Sequence, residues 1–487
     1  MTTAARVDEA RQRVREAGGE ELLERLVHLD AARGDRRGDR RGDRLAKAAP
    51  ALAAPDRGAR PDFDVVIAGG GLSLLLAPLL AARGLRVAVL DRARVGGAHR
   101  EWNAGEAEVQ ALAESGLFSP EEVASLVVAR YAEGFCRWHE GGTYPVRGVL
   151  DHAIDAGKLL ALARARAEAR GVTLLDGHAL FAHAEGRDAV ALAVEADGAT
   201  RTLLCRLLVD ARGAASPYAT ADLVCPTVGG VLTGLAEGDG PREIRPDTGE
   251  ILVTTEGLSE GRQHLWEAFP GRPGETTVYL FYYARAEDVG PGALLSLYAR
   301  FFATLGRYKA GEARMVRPTF GYIPGWSRLG PAPRPPGRRV RLVGDAAARH
   351  SPLTFCGFGA SVRGLARTAG DLARAVEDPG ARCAPCDAPV HAGTGALAAL
   401  MAQPPRGMGP GDMNALLDAA FGVLHGMGND DYAALLRDEM GPADFVRFLR
   451  ETASLRPRVY REVFGSLGVG AVGRWGVGMV RELMRAG

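Results

Sequence analysis

No apolar run in the 487-residue sequence is long enough to span a bilayer. The longest, from Leu72 to Ala82, is interrupted by Pro78. Charge of one sign is lacking as well. Sixty Lys and Arg stand against 59 Asp and Glu, a formal net charge of +1, so no long-range field would draw the chain to nucleic acid. No stretch near the start joins a basic segment, an apolar segment and small cleavage-site residues, and the expected location is cytoplasmic, either free or peripheral on a membrane. Cysteine is sparse: six residues scattered widely exclude a disulfide framework in a chain of this size. Cys383 and Cys386 form one CxxC, preceded by Asp378-Pro379-Gly380 and with Pro385 inside it, which is loop chemistry. A zinc half-site there would need two more ligands, and His391 is the only near candidate. No repeat of domain scale and no second dinucleotide fingerprint occurs, so a dedicated NADPH domain is not expected and electrons would come from an external donor.

What is present is a core. Hydrophobic residues make up 47% of the chain, enough for two or three domains. Apolar positions at helical spacing over residues 4–30, among them Leu22, Leu23, Leu26 and Val27, predict a helical N-terminal extension. A Gly-Asp-Arg-Arg repeat beginning at Gly34 and an Ala/Pro-rich stretch then read as a linker to residue 61. Asp64-Val65-Val66-Ile67-Ala68 predicts a buried parallel strand, a helix is expected over 72–83 with Gly84 as its cap, and Val87 to Leu90 forms the next strand. A helix over 159–170 and strands over 172–175, 190–195 and 203–209 follow. The period changes to two between about 226 and 325, where 251–255, 264–269 and 277–283 read as aromatic-rich antiparallel strands. A buried strand returns at 340–343, and beyond residue 390 the pattern is helical. The resulting expectation is a doubly wound domain whose first part is 62–225, an antiparallel substrate domain at 226–335, the last part of the doubly wound domain at 336–378 and a helical cap at 379–487.

Three motifs carry the chemistry. Gly69-Gly70-Gly71 closes the first strand, where glycines allow a tight turn and let a pyrophosphate approach the backbone N–H groups of Leu72 and Ser73 at the next helix start. The third glycine of GxGxxG is replaced by Leu74, which should loosen the helix–strand contact. Asp91 lies twenty residues past Gly71, where an acid accepts from ribose hydroxyls, with Arg92 beside it. The second motif is the strand-ending Asp210-Ala211-Arg212-Gly213, similar to the Asp-Gly turn of flavoprotein hydroxylases. The third is Gly344-Asp345, then Ser351-Pro352, then Gly357-Phe358-Gly359 opening a helix. In flavoproteins such an Asp accepts from the ribityl chain, and the later glycines bring a helix N-terminus under the flavin N1–C2=O edge, where reduction places negative charge. FAD is the expected cofactor and a glutathione-reductase-like α/β Rossmann fold the expected architecture.

Further pieces narrow the choice. Glu101-Trp102-Asn103, Leu265-Trp266-Glu267-Ala268-Phe269-Pro270 and the run from Ser351 to Gly359 together resemble the CruA/CruP-type lycopene cyclases. The resemblance extends over about 62–375. Two departures stand: Ala104-Gly105-Glu106 follow Asn103, and Cys356 precedes Gly357. The resemblance implies closure of the ψ-end of a linear carotenoid to a β-ring by acid–base chemistry over reduced FAD, without net redox. An acid for that reaction must be held protonated by apolar surroundings. Glu267, between Trp266 and Phe269, is the first candidate and Glu101, beside Trp102, the second. Phe281, Tyr282 and Tyr283 either line a carotenoid tunnel or pack a core. His350 adjoins the flavin loop. Residues 469–484 either pack on the sheet domain or lie on a membrane surface. The rival readings are an FAD-dependent monooxygenase or reductase on a hydrophobic substrate, and a non-catalytic carotenoid- or flavin-binding paralogue.

Overall fold

The computed structural model describes residues 2–31, 52–97, 102–219, 221–327, 337–347, 353, 357–380, 392–404 and 407–486. Glu101, His350, Pro352, Cys356, Cys383, Cys386, His391 and the Gly-Asp-Arg-Arg repeat lie outside these residues.

Strands without a polar face require a sheet covered on both sides, and the β-branched runs supply one. A seven-stranded sheet has the order Thr173–Asp176, Val87–Asp91, Phe63–Ala68, Ala199–Asp210, Val190–Ala196, Ala179–Glu185, with Val340–Leu342 also paired to Ala199–Asp210. The first four strands and Val340–Leu342 run parallel, and Ala179 to Asp210 form an antiparallel meander. Ala68 pairs with both Leu90 and Asp210, and Asp210 with Leu342. All three motifs therefore leave the same edge of the sheet. The helix expected over 72–83 enters as a tighter turn, Leu72–Leu75, before the α-helix Leu76–Ala81, and Gly84 follows at φ 81°. Leu74 does not loosen the contact: it is fully buried and packs toward Gly96.

An eight-stranded sheet contains the expected strands as Thr248–Val253, His264–Pro270 and Thr276–Tyr282. It also holds two long strands that the sequence reading passes over, Leu223–Leu235 and Gly311–Gly325, paired antiparallel to each other. Pro226, Gly229, Gly230, Pro318 and Gly321 disguise them. A Cβ at Gly229 would lie 2.0 Å from the Val278 carbonyl oxygen and one at Gly230 2.4 Å from that of Arg317, so the close strand approach demands glycine. Glu133–Arg137 joins the same sheet parallel to Thr248–Val253 and brings Thr143–Val146 with it. A three-stranded sheet, Trp102–Ala104, His152–Ile154 and Val127–Arg130, sits beside it.

Alternation divides the broad sheet into two faces. Val228, Trp266, Val278, Leu280 and Tyr282 pack on the helix Ala293–Tyr308 and on the N-terminal helix Thr3–Ala31, which is broken at Gly19. Leu265, Phe269, Phe281 and Tyr283 pack on the opposite face with Leu353 and the C-terminal helices. The N-terminal helix is tied down by buried Asp30, whose carboxylate accepts from the N–H groups of Leu294 (3.1 Å) and Leu295 (3.0 Å) and the hydroxyl of Tyr322 (2.6 Å). It caps a helix whose own N-terminal residue, Gly292, has no side chain to do so. The C-terminal helices are docked through Asp418, which accepts from Gly142 N–H and the Tyr144 hydroxyl, both at 2.7 Å. No helix among the described residues is long and apolar enough to cross a membrane.

Candidate functional site

The glycine turn is built by contact with its neighbours. Gly69 has φ 118°, and a Cβ there would lie 2.3 Å from the Ala211 carbonyl oxygen, so the first and second motifs touch backbone to backbone. The N–H of Gly70 donates to Asp91 Oδ2 at 2.8 Å, and Asp91 Oδ1 accepts from Ala93 N–H. Asp91 thus holds the turn shut, and a carboxylate has lone pairs left for ribose hydroxyls. Leu72 and Ser73 are half-buried, with the Ser73 hydroxyl on Gly69 O at 3.0 Å; Arg92 is exposed. A Cβ at Gly71 meets nothing within 4 Å among the described residues. Open space lies over the turn.

Asp210 is fully buried and accepts from the Ser216 hydroxyl (2.7 Å) and from Arg212, whose guanidinium also donates to Leu180 O. Its carboxylate organises its own turn rather than reaching outward. Gly213, at φ 60°, stands against Asp345: a Cβ on it would be 3.7 Å from the Asp345 Cβ. Gly344, at φ 61°, again faces open space. The turn Gly344–Ala346 touches both the Gly213–Ala215 turn and the helix Gly357–Arg363. In that helix Gly359 lies against Glu108, and Phe358 stacks on Trp102 with ring centroids 5.0 Å apart. Glu108 in turn caps Gly105 N–H and pairs with Arg363. Two pieces far apart in sequence, Glu101-Trp102-Asn103 and Gly357-Phe358-Gly359, therefore meet through Trp102 and Phe358. A dinucleotide fits this frame: a row of parallel strand ends, two glycines with nothing above them among the described residues, and backbone turns in mutual contact.

Glu267 is on the face toward Leu353 and the C-terminal helices. Strand alternation sends Trp266 the other way, where it stacks on Tyr308 at 4.8 Å, so the expected Trp266 wall is not beside the carboxyl. Its same-face neighbours are Leu265 and Phe269, with Tyr279 directly across the strand. Its charge would push up the buried thiols of Cys136 and Cys225 and, across the sheet, the phenol of Tyr308. Among the described residues Glu267 has neither hydrogen bond nor ion pair. Burial alone pushes its pKa up to about 8, yet part of its surface remains accessible. Glu267 is the one half-buried residue of its strand. Of the aromatic run, Phe281 and Tyr283 share this face, and the Tyr283 hydroxyl donates to Leu353 O. Tyr282 points to the opposite face and cannot line a common tunnel with them.

No protein-family model matches the chain, and no curated protein matches it. Solved structures do. A geranylgeranyl bacteriochlorophyll reductase-like protein from Thermoplasma acidophilum superposes with a TM-score of 0.53 at 14% identity, over 83% of this chain and 99% of that one. A triple mutant of the flavin-dependent brominase Bmp2 gives 0.52 at 16%, over 82% and 100%. The halogenase PltM in complex with phloroglucinol and FAD gives 0.52 at 12%, over 85% and 96%. At these identities the likeness carries the fold. The chain has the mixed α/β, Rossmann-type fold of FAD-binding flavoproteins, with a helical C-terminal region.

Proposed function

We propose that the chain is an FAD-dependent enzyme that cyclises the ψ-end of a linear carotenoid, a lycopene cyclase acting without net redox change. The observation that carries this reading is Glu267, a carboxyl with no hydrogen bond or ion pair among the described residues, held neutral by burial among apolar side chains. A neutral carboxyl can give its proton to a terminal double bond; ring closure then moves the positive charge, and loss of a proton from the adjacent carbon leaves an isomer of unchanged mass. Phe281 and Tyr283 present aromatic rings on the same face, suited to a carbocation. Gly69, Gly70, Gly71, Asp91, Gly213, Gly344, Asp345 and the helix start at Gly357 and Gly359 would hold the FAD. Reduced by an external donor, FAD would supply negative charge opposite the cation, worth about 1 kcal/mol at 4 Å in water and several times more in a dry site.

The test is expression in a lycopene-accumulating cell with pigment chromatography and mass. Cyclised product of unchanged mass is expected, and Glu267→Gln should abolish it while bound flavin stays. A flavin monooxygenase or reductase is the second reading, favoured by the reductase-like and halogenase folds that superpose on this one; it requires NAD(P)H to be consumed in step with product. FAD binding with no ring closure would instead mark a non-catalytic paralogue. The proposal extends to peripheral contact with a membrane, where a carotenoid dissolves. Val469, Val477, Val480 and Met484 are exposed along one stripe of the helix Val469–Ala486, and the two preceding helices and the turn between them expose Arg450, Arg461 and Arg458.

A further inference from the structure

Along His264–Pro270 and Thr276–Tyr282 every residue is buried except one in each strand. Those two, Glu267 and Tyr279, are directly paired. Accessible surface on this face therefore opens at one rung of the ladder. The next rung on the same face is Phe269 with Thr277, two residues along each strand and ~7 Å away. Phe269 and Thr277 form one wall of a cleft at the sheet's end, and Trp102, Ala153 and Ile154 of the three-stranded sheet form the other. Trp102 is also the residue stacked on Phe358. The cleft thus runs between the helix start assigned to the flavin and the strands that carry the acid.

Its inner lining is mostly apolar, and charge at its rim comes in pairs. Arg272 meets Asp155 at 2.6 Å, and Arg317 meets Glu275 at 3.5 Å. Asp155 caps the helix Ala156–Ala169, so the Arg272 pair ties the tip of the hairpin between His264–Pro270 and Thr276–Tyr282 to the other wall. The space inside is about 20 Å³, room for roughly one water. A ligand can enter only if the hairpin moves. Arg272 is half exposed, and an ion pair of that kind holds weakly.

We infer that this cleft is the entrance by which an elongated apolar ligand reaches Glu267, and that the Arg272–Asp155 pair is its latch. The inference rests on the reading of Glu267 as the reacting acid. Asp155 anchors a helix, so the latch is tested from the Arg272 side.

The probe is all-trans-retinol added to the flavin-loaded protein in a stopped-flow instrument. Its absorbance overlaps indole emission, so a polyene in the cleft quenches Trp102, read as the difference between wild type and Trp102→Phe. Thr277→Trp, which fills the cleft, should slow association or weaken binding at least ~10-fold with flavin content unchanged. Arg272→Ala should speed association about threefold. Should Thr277→Trp fail to fold, Asn103→Cys alkylated with a bulky maleimide after folding plugs the same cleft, with wild type treated alike as control. Quenching that survives the plug, or is the same in Trp102→Phe, overturns the entrance; an unchanged rate in Arg272→Ala overturns the latch. Retinol held in the cleft by a protein that never cyclises lycopene would leave the entrance standing and remove the cyclase reading. Cyclisation untouched by the plug would do the reverse.

Discussion

Glu267 ties its ionisation to both stability and rate. Its folded pKa, about 8, lies above the ordinary value of 4.5 because burial penalises the anion. The native state therefore keeps a proton that the unfolded chain releases above pH 4.5, and stability falls as pH rises between those two values. Turnover should fall through pH about 8 as the acid is lost. Urea unfolding from pH 5 to 9 should show a downward slope that Glu267→Gln flattens; equal slopes would mean that the carboxyl is not buried in solution. The glycine turn gives a second test at this scale. Gly69→Ala forces a Cβ into the Ala211 carbonyl at positive φ and should cost about 2–3 kcal/mol as well as the flavin. Gly71→Ala meets open space, so it should leave the melting temperature within about 2 °C of wild type yet still reduce bound FAD, read as 450 nm absorbance after gel filtration. Glu267 was legible as a carboxyl in an apolar stretch. Its companions were misread, because adjacent residues of a strand point to opposite faces and Trp266 belongs to the other one.

Among the elements, helices and strands with a clean period were readable from the sequence and those with mixed signals were not. The strands expected over 64–68 and 87–90 are built on unbroken apolar runs, Val65 to Ala68 and Val87 to Leu90, and both form within a residue of the expected bounds. The helix Ala293–Tyr308 was hidden inside a stretch read as sheet, although Leu294, Leu297, Tyr298 and Phe301 follow helical spacing. Nothing local could have revealed its cap. Asp30 comes from 264 residues upstream, and only the fold brings it to Leu294. Asp30→Ala would remove the bonds that the carboxylate accepts from two helix N–H groups and the Tyr322 hydroxyl, a loss of about 2–3 kcal/mol by thermal or urea unfolding. Asp30→Asn, which keeps an oxygen, should lose less. A small effect from Asp30→Ala would show that the N-terminal helix is not held at this point.

At the scale of the whole molecule, the order of the nucleotide motifs was legible because parallel strands all deliver their turns to one edge. What joins the broad sheet was not, since Glu133–Arg137 and Thr143–Val146 enter it from an earlier part of the chain. Six of the seven exposed large apolar side chains among the described residues, from Val446 to Met484, lie in the C-terminal helices, with Val469 at 75% and Met484 at 71% exposure. Wild-type protein should float with vesicles rich in anionic lipid, and Val477→Glu combined with Met484→Glu should remain at the bottom of the gradient while melting normally. Flotation by both would place the contact elsewhere.

The Asp30 anchor also has a consequence for biogenesis. The helix Thr3–Ala31 leaves the ribosome well before the helix it must cap, which is made only some 264 residues later. At ordinary elongation rates that interval is on the order of ten to fifty seconds. For most of it, the side of the helix bearing Ala10, Val14, Leu23 and Leu26 lacks most of its eventual partner surface, which makes the nascent chain a natural client for holding chaperones.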